Sequence, residues 1–140
     1  MTVQSGRAED EGSILLLTLG YALLALAVIF VCVCATDLYI AQKRLDALAD
    51  SAALAGADGF TIEVDGEVVR AELTDAGVQE QAAALLAALP GDAVLVSART
   101  PDGLSARVTV TGAWHPPLFS PFVPDGVPLE ATGTSRTALQ

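Results

Sequence analysis

The stretch GSILLLTLGYALLALAVIFVCVCAT, from Gly12 to Thr36, carries no charged side chain and decides the fold of the chain around it. As an α-helix rising about 1.5 Å per residue it would be about 37 Å long, enough to cross a hydrocarbon core of about 30 Å. Because every backbone amide must be paired inside lipid, a lone spanning segment has to be helical. We therefore predict a transmembrane helix over residues 13–36 in contact with the lipid bilayer.

The residues that flank this span decide between a permanent anchor and a removed signal peptide. A signal peptide starts with basic residues and has an apolar stretch of roughly 7–15 residues. Here residues 1–12 form an acidic leader, and the apolar run is longer. We expect an uncleaved anchor, with a signal peptide cut near Val33-Cys34-Ala35 as the alternative. Counted alone, Lys43 and Arg44 after the span favour a cytoplasmic C-terminal side over Arg7 before it.

The helix is predicted to continue beyond the membrane as a stem extension over residues 37–58. This segment has no proline and is rich in strong helix formers. Gly56 and Gly59 are the predicted stop signals, so that one helix over residues 13–56 would be about 65 Å long. Its apolar residues recur at spacings of three and four, which indicates one buried stripe. The stripe consists of Leu38, Ala41, Leu45, Leu48, Ala52 and Ala55.

Residues 59–140 alternate strand and helix patterns and form one predicted domain. Asp65-Gly66 between alternating β-formers predicts a hairpin, and Thr74-Asp75 opens a second helix that ends at Pro90-Gly91. The segments 93–99 and 104–111 flank a Pro-Asp-Gly turn, and a last strand covers about 127–138. Hairpins require antiparallel pairing. The predicted class is therefore α+β: a long N-terminal helix, a second helix and an antiparallel sheet of about four to five strands.

The segment from Trp114 to Pro124 contains four prolines and is predicted to be an apolar loop rather than a regular element. Its aromatic residues are candidates for contact with a partner, because aromatic side chains carry much of the binding energy at interfaces. The alternative is a loop that folds back over its own sheet. The candidate contact residues are Trp114, Phe119 and Phe122.

Composition argues against several classes of function. The formal net charge of −10, without a basic run in the sequence, disfavours nucleic-acid binding. The acids around Asp65 form too short a loop for calcium, so we expect no metal site and no cofactor. His115 is the single histidine, and no nucleophile elbow, phosphate loop or zinc spacing accompanies it. We expect no enzymatic activity. We read Cys32 and Cys34, inside the span, as apolar filler.

Two segments resemble TadE- and TadG-like proteins of bacterial Tad (Flp) pilus-assembly systems. The acidic-Gly-Ser entry at residues 10–13 before the apolar run, followed by the ending ADSAALAGA at residues 49–57, carries most of the resemblance. The tail, with ARVTVT at 106–111, a proline loop and a closing strand, is similar more loosely. The amino-terminal region of the chain is most similar to that of TadG-type proteins.

This resemblance implies a pilin-like protein of the bacterial cell membrane, with a cytoplasmic N-terminus and an extracytoplasmic domain. It implies a structural role in a pilus or related secretion apparatus, other pilus-assembly proteins as partners, and homo- or hetero-association through the stem. Prepilin-type cleavage would fall between Gly12 and Ser13, but Leu17 stands where a glutamate is expected, which favours an uncleaved component. The alternative function is a generic anchored envelope domain that binds another protein or a small ligand. Small residues that permit close helix approach are Gly20, Ala22, Ala25 and Ala27.

Overall fold

The computed structural model describes the backbone of residues 6–66, 68–117 and 119–136. It confirms the α+β class, with a long N-terminal helix, a second helix and antiparallel strands. The chain divides into two units, residues 1–37 and 38–140. The elements are α1 (Gly6–Ala57), β1 (Thr61–Asp65), β2 (Val68–Glu72), α2 (Asp75–Ala88), β3 (Val94–Arg99), β4 (Ser105–Trp114), a 3-10 turn (Ser120–Phe122) and β5 (Val127–Arg136).

The first unit is the apolar part of α1. This helix begins at Gly6, seven residues before the predicted start of the span, and it is long and apolar enough to cross a membrane. Its large apolar side chains, from Ile14 to Val33, are mostly exposed. The hydroxyls of Thr18 and Thr36 donate to the carbonyls of Leu15 and Cys32, at 2.9 and 2.8 Å. These polar groups are therefore satisfied within the helix, as an apolar solvent requires.

In the second unit, five strands form two separate antiparallel sheets. Strands β3, β4 and β5 form a three-stranded sheet in that order, whereas β1 and β2 pair only with each other. The sheet is thus smaller than the four to five strands expected. The β1–β2 turn is the predicted one, with Gly66 at a φ of +66°. Local patterns predicted each hairpin, but the joining of hairpins into one sheet depends on long-range contacts that such patterns do not contain.

Small residues let two helices pack closely on one face of the three-stranded sheet. The core joins α1 and α2 to the inward side chains of β4 and β5. A Cβ built at Gly133 of β5 would overlap the carbonyl group of Ala49, so the α1 backbone lies directly on the strand. The buried residues of this core are Leu45, Ala49, Ala52, Ala53, Ala57, Leu73, Val78, Ala82, Ala106, Val108, Val110 and Ala131.

The ends of the helices agree with the prediction, but one glycine has a different role. Thr74 caps α2, because its hydroxyl accepts from the Gly77 amide at 3.2 Å. α1 ends at Ala57, close to the predicted end. Gly56 is not a stop signal, however: it is buried inside the helix, and a Cβ there would lie 2.9 Å from Val78 Cγ1. Its place is fixed by the crossing of α1 over α2.

The buried stripe of α1 is rotated from the predicted one. Leu45 and Ala52 are buried as expected, but Ala49 and Ala53 complete the contact with the sheet and α2, whereas Ala55 is only half-buried. A spacing of three and four fits several adjacent stripes where alanines are dense, as at residues 49–57. The direction of the sheet, which the local sequence does not encode, selects between them.

Candidate functional site

The small residues of the span do not share one face of α1. At about 100° per residue, Gly20 and Ala27 lie about 20° apart, while Ala22 and Ala25 lie about 60° apart on the opposite side. All four are exposed, and a Cβ at Gly20 would meet nothing within 4 Å. The span therefore offers two shallow faces for a neighbouring helix rather than one.

The bond between Gly12 and Ser13, where prepilin-type cleavage is predicted, lies inside α1. Both residues are helical and exposed, and a Cβ at Gly12 would meet nothing within 4 Å. The cleavage site remains a prediction.

A polar cluster on α1 follows the span and joins the helix to the sheet. Gln42 Nε2 donates to Asp46 Oδ1 at 2.9 Å and to the Glu130 carbonyl of β5 at 3.0 Å. Lys43 Nζ donates to Asp46 Oδ2 at 3.0 Å and lies 5.8 Å from the centre of the Tyr39 ring. The hydrogen bonds from Gln42 and Lys43 lower the pKa of Asp46. The bond to Asp46 and its negative charge raise the pKa of Lys43.

The predicted aromatic loop is shorter than expected, because its first residue belongs to a strand. Trp114 is the last residue of β4, where it pairs with Val127, and it is half-buried. The prolines that follow it end the strand but do not reach back to Trp114, so placing Trp114 in the loop was wrong. Phe119 and Phe122 do share the loop, and their ring centres lie 6.2 Å apart.

The loop is compact and held by its own hydrogen bonds. Ser120 Oγ donates to the Pro116 carbonyl at 3.0 Å, and the amides of Phe122 and Val123 donate to the Phe119 carbonyl at 2.9 and 3.1 Å. Gly126 closes it at a φ of +69°, where a Cβ would lie 2.9 Å from the Trp114 carbonyl oxygen. In this loop, Phe122 is 80% exposed and Phe119 is 48% exposed.

The loop lies at the end of the second unit where α1 enters it. Gly112 of β4 faces Leu45, and Ala106 of the same strand faces Gly56. Between these contacts α1 rises about 16 Å and β4 covers about 20 Å, so the two run side by side in opposite directions. The end of β4, and the loop after it, therefore lie toward Leu38, the first residue of the unit.

The face of the three-stranded sheet opposite the helices carries a group of arginines at the end away from the aromatic loop. The sequence analysis did not identify this group. Arg99 of β3 pairs directly with Arg107 of β4, and Arg136 of β5 lies on the same face one pair further along. Like charges on paired positions repel each other. Of these three arginines, only Arg136 has a carboxylate within 4 Å among the described residues: its Nη2 lies 3.9 Å from Asp102 Oδ2. Strand register brings the three together, so no sequence run reveals them.

Asp102 makes its hydrogen bonds within the β3–β4 turn rather than with the arginines. Its Oδ1 accepts from the amides of Leu104 and Ser105 at 3.0 and 2.6 Å, and its Oδ2 accepts from Ser105 Oγ at 2.7 Å. The Ser105 hydroxyl, followed by the two amides, lowers the pKa of Asp102. The carboxylate therefore stabilises this turn.

His115 lies at the start of the loop, with its imidazole beside Gly126. Within the ranges that the structure describes, no group of three or more His, Cys, Asp or Glu side chains is placed to hold a metal ion. The candidates for contact with a partner are three surfaces described above: the span, the aromatic loop and the arginine group.

Comparison with protein families matches residues 12–59 to a family described as "Putative Flp pilus-assembly TadE/G-like". The matched segment runs from the start of the exposed apolar stretch to just past the end of α1. Neither the curated proteins nor the solved structures give a match to this chain.

Proposed function

We propose that this TadE/TadG-like chain is a non-enzymatic, membrane-anchored component of a bacterial Tad (Flp) pilus apparatus, of the minor-pilin or accessory type. One observation carries the proposal: the family match over residues 12–59 covers the exposed span and the buried continuation of the same helix. The match supports a Tad pilus-associated role, and the long apolar helix supports a membrane anchor. The proposal adds the kind of component.

The proposed boundaries give α1 two tasks. Residues 13–36 span the bilayer after a leader over residues 1–12, and residues 37–58 form the stem extension that packs on the domain of residues 59–140. The stem extension buries small residues against the sheet, which fits a rigid support for the domain. The exposed faces at Gly20/Ala27 and Ala22/Ala25 are then free for other helices in the membrane.

The proposed topology places the N-terminus in the cytoplasm and the domain outside. The two basic residues after the span argue for the reverse orientation. However, Lys43 is paired with Asp46 at 3.0 Å, so its charge is partly compensated. A Thr132→Cys variant, with Cys32 and Cys34 changed to Ser, tests the topology. A membrane-impermeant maleimide should label exposed residue 132 in intact spheroplasts, and labelling only after lysis would reverse the orientation.

We propose that the leader is retained, because Leu17 stands in place of the expected glutamate. Intact mass of the protein purified from its own host tests this point. The full-length mass is expected. A mass short by residues 1–12 would mean processing after Gly12 and a true pilin-like subunit.

Association through the span is tested by photo-crosslinking in living host cells. A photoreactive residue placed at Ala27 or at Ala25 probes the two opposite faces of the helix. Crosslinks to other Tad pilus proteins from at least one face are expected. Crosslinks only to envelope proteins outside the pilus system would favour the generic anchored domain instead.

A further inference from the structure

The aromatic loop over residues 115–126 has apolar side chains that the domain does not cover. Phe122 is 80% exposed and Phe119 is 48% exposed, although hydrogen bonds link Pro116 to Ser120 and Phe119 to Phe122 and Val123. A domain that folded the loop over its own sheet would bury these rings. Neighbouring exposed aromatic rings form an apolar patch of the kind that marks a protein or membrane contact.

The position of the loop favours the membrane as the surface that it contacts. The loop lies at the end of the second unit where Leu38 enters, and Leu38 follows the last span residue, Thr36, by two positions. Tyr39 and Ile40 are also exposed at this end of the unit, at the start of its helix. A spanning helix places the residues that follow it at the headgroup level of the bilayer, where aromatic rings are favoured.

We propose that the loop is a second membrane contact, in which Phe119 and Phe122 insert into the headgroup region beside the point where the helix leaves the bilayer. This proposal goes beyond the pilus role and rests only on the membrane anchorage. The compensated charge of Lys43, held by Asp46 and close to the Tyr39 ring, fits the same interface. The contact would fix the tilt of the domain on the membrane, which a single helix does not.

Tryptophan fluorescence of the full chain in phosphatidylcholine–phosphatidylglycerol vesicles tests the proposal. The test variant is Phe122→Trp. The matched control is Leu104→Trp, because Leu104 is 47% exposed in the turn at the other end of the sheet. Trp114 is the single native tryptophan and is present in all variants, so each variant is compared with the unmodified protein.

The proposal predicts that lipids with a nitroxide near the headgroup quench the fluorescence of the Phe122→Trp variant at least about two-fold more strongly than that of Leu104→Trp. Aqueous iodide should quench the Phe122→Trp variant less strongly than the Leu104→Trp variant. Equal iodide quenching of both variants without lipid quenching would overturn the proposal. So would iodide protection that disappears when the protein is diluted in lipid, since a second copy would then cover the loop. Phe119→Trp repeats the test at a second position should the first variant misfold.

Flotation of the vesicles separates this inference from its premise. Protein that floats with the vesicles but shows no lipid quenching at the loop contradicts the loop contact alone. Protein that does not float contradicts the anchor, and the loop contact with it. Neither result bears on which pilus proteins the chain contacts.

Discussion

Replacing Gly133 with alanine should separate α1 from the sheet. A Cβ at this position would overlap the Ala49 carbonyl group and lie 2.6 Å from the Asp50 amide nitrogen. Both obstacles are backbone atoms of a helix, so no side-chain rotation relieves the overlap. The helix must shift, and the contacts of Ala49 with the sheet are lost.

The expected cost is the balance of two opposing effects. Overpacking in a well-packed core costs about 1–3 kcal/mol. Alanine has fewer backbone conformations than glycine in the unfolded chain, which returns about 0.4–1 kcal/mol. Because backbone meets backbone here, we expect the upper part of the overpacking range and a net loss of about 2 kcal/mol. In a unit of roughly one hundred residues this lowers Tm by about 8–16 °C.

The assay is thermal unfolding of the full chain in detergent micelles, followed by the fluorescence of Trp114 at the end of β4. The matched control is Gly112→Ala on the neighbouring strand. A Cβ at Gly112 would lie 3.4 Å from Leu45 Cδ1, the flexible end of a side chain. The control should change Tm by only a few degrees. Equal Tm values for the Gly133 and Gly112 variants would refute the close helix–sheet packing described here.

Three further changes probe other contacts of the second unit. Gly56→Ala should destabilise the wild type more than a Val78→Ala background, because the added methyl meets Val78 Cγ1 at 2.9 Å; a double-mutant cycle of unfolding free energies measures the difference. Thr74→Ala should cost about 1 kcal/mol in the same unfolding assay by removing the cap of α2. Asp102→Asn should weaken the acid dependence of stability. The pKa of Asp102 is lowered in the folded chain, so the carboxylate stabilises the fold above its unfolded pKa of about 3.9. This stabilisation is lost as the pH falls through the folded-state pKa.

Each of these changes has its own control. An equal effect of Gly56→Ala in both backgrounds would show that Gly56 and Val78 are not in contact. Thr74→Ser keeps the capping hydroxyl and should behave like the wild type. Ser105→Ala removes the main cause of the lowered pKa of Asp102, so it should also flatten the stability curve as the pH falls below about 4. An unchanged acid limb in both the Asp102 and Ser105 variants would contradict the turn geometry.

Features encoded by neighbouring residues were predictable from the sequence. The apolar run at residues 12–36 predicted the first part of α1, Thr74 predicted the start of α2, and Asp65-Gly66 predicted the β1–β2 turn. The observed α2 ends at Ala88, and one residue, Leu89, separates it from Pro90-Gly91. Each of these depends on a backbone preference or a hydrophobic period within one element, so it can be read without knowledge of the rest of the chain.

Features that depend on distant segments were not predictable. Gly56 has the local pattern of a helix end, and only the crossing of α2 shows that it is a packing position. Trp114 is followed by prolines, but its pairing with Val127 keeps it in β4. Arg99 and Arg107 are separated by a turn in sequence and become neighbours through strand register. Identifying the candidate surfaces therefore required the folded structure, whereas the family resemblance was visible in the sequence of the stem alone.

We propose that this chain is a structural part of a Tad pilus apparatus, and the match over residues 12–59 supports this proposal. The most direct test deletes its gene in its own host and measures pili in the fraction sheared from the cell surface. The account predicts that surface pili are lost or strongly reduced, and that the full chain expressed from a plasmid restores them. Pili at the wild-type amount in the deletion strain would contradict it.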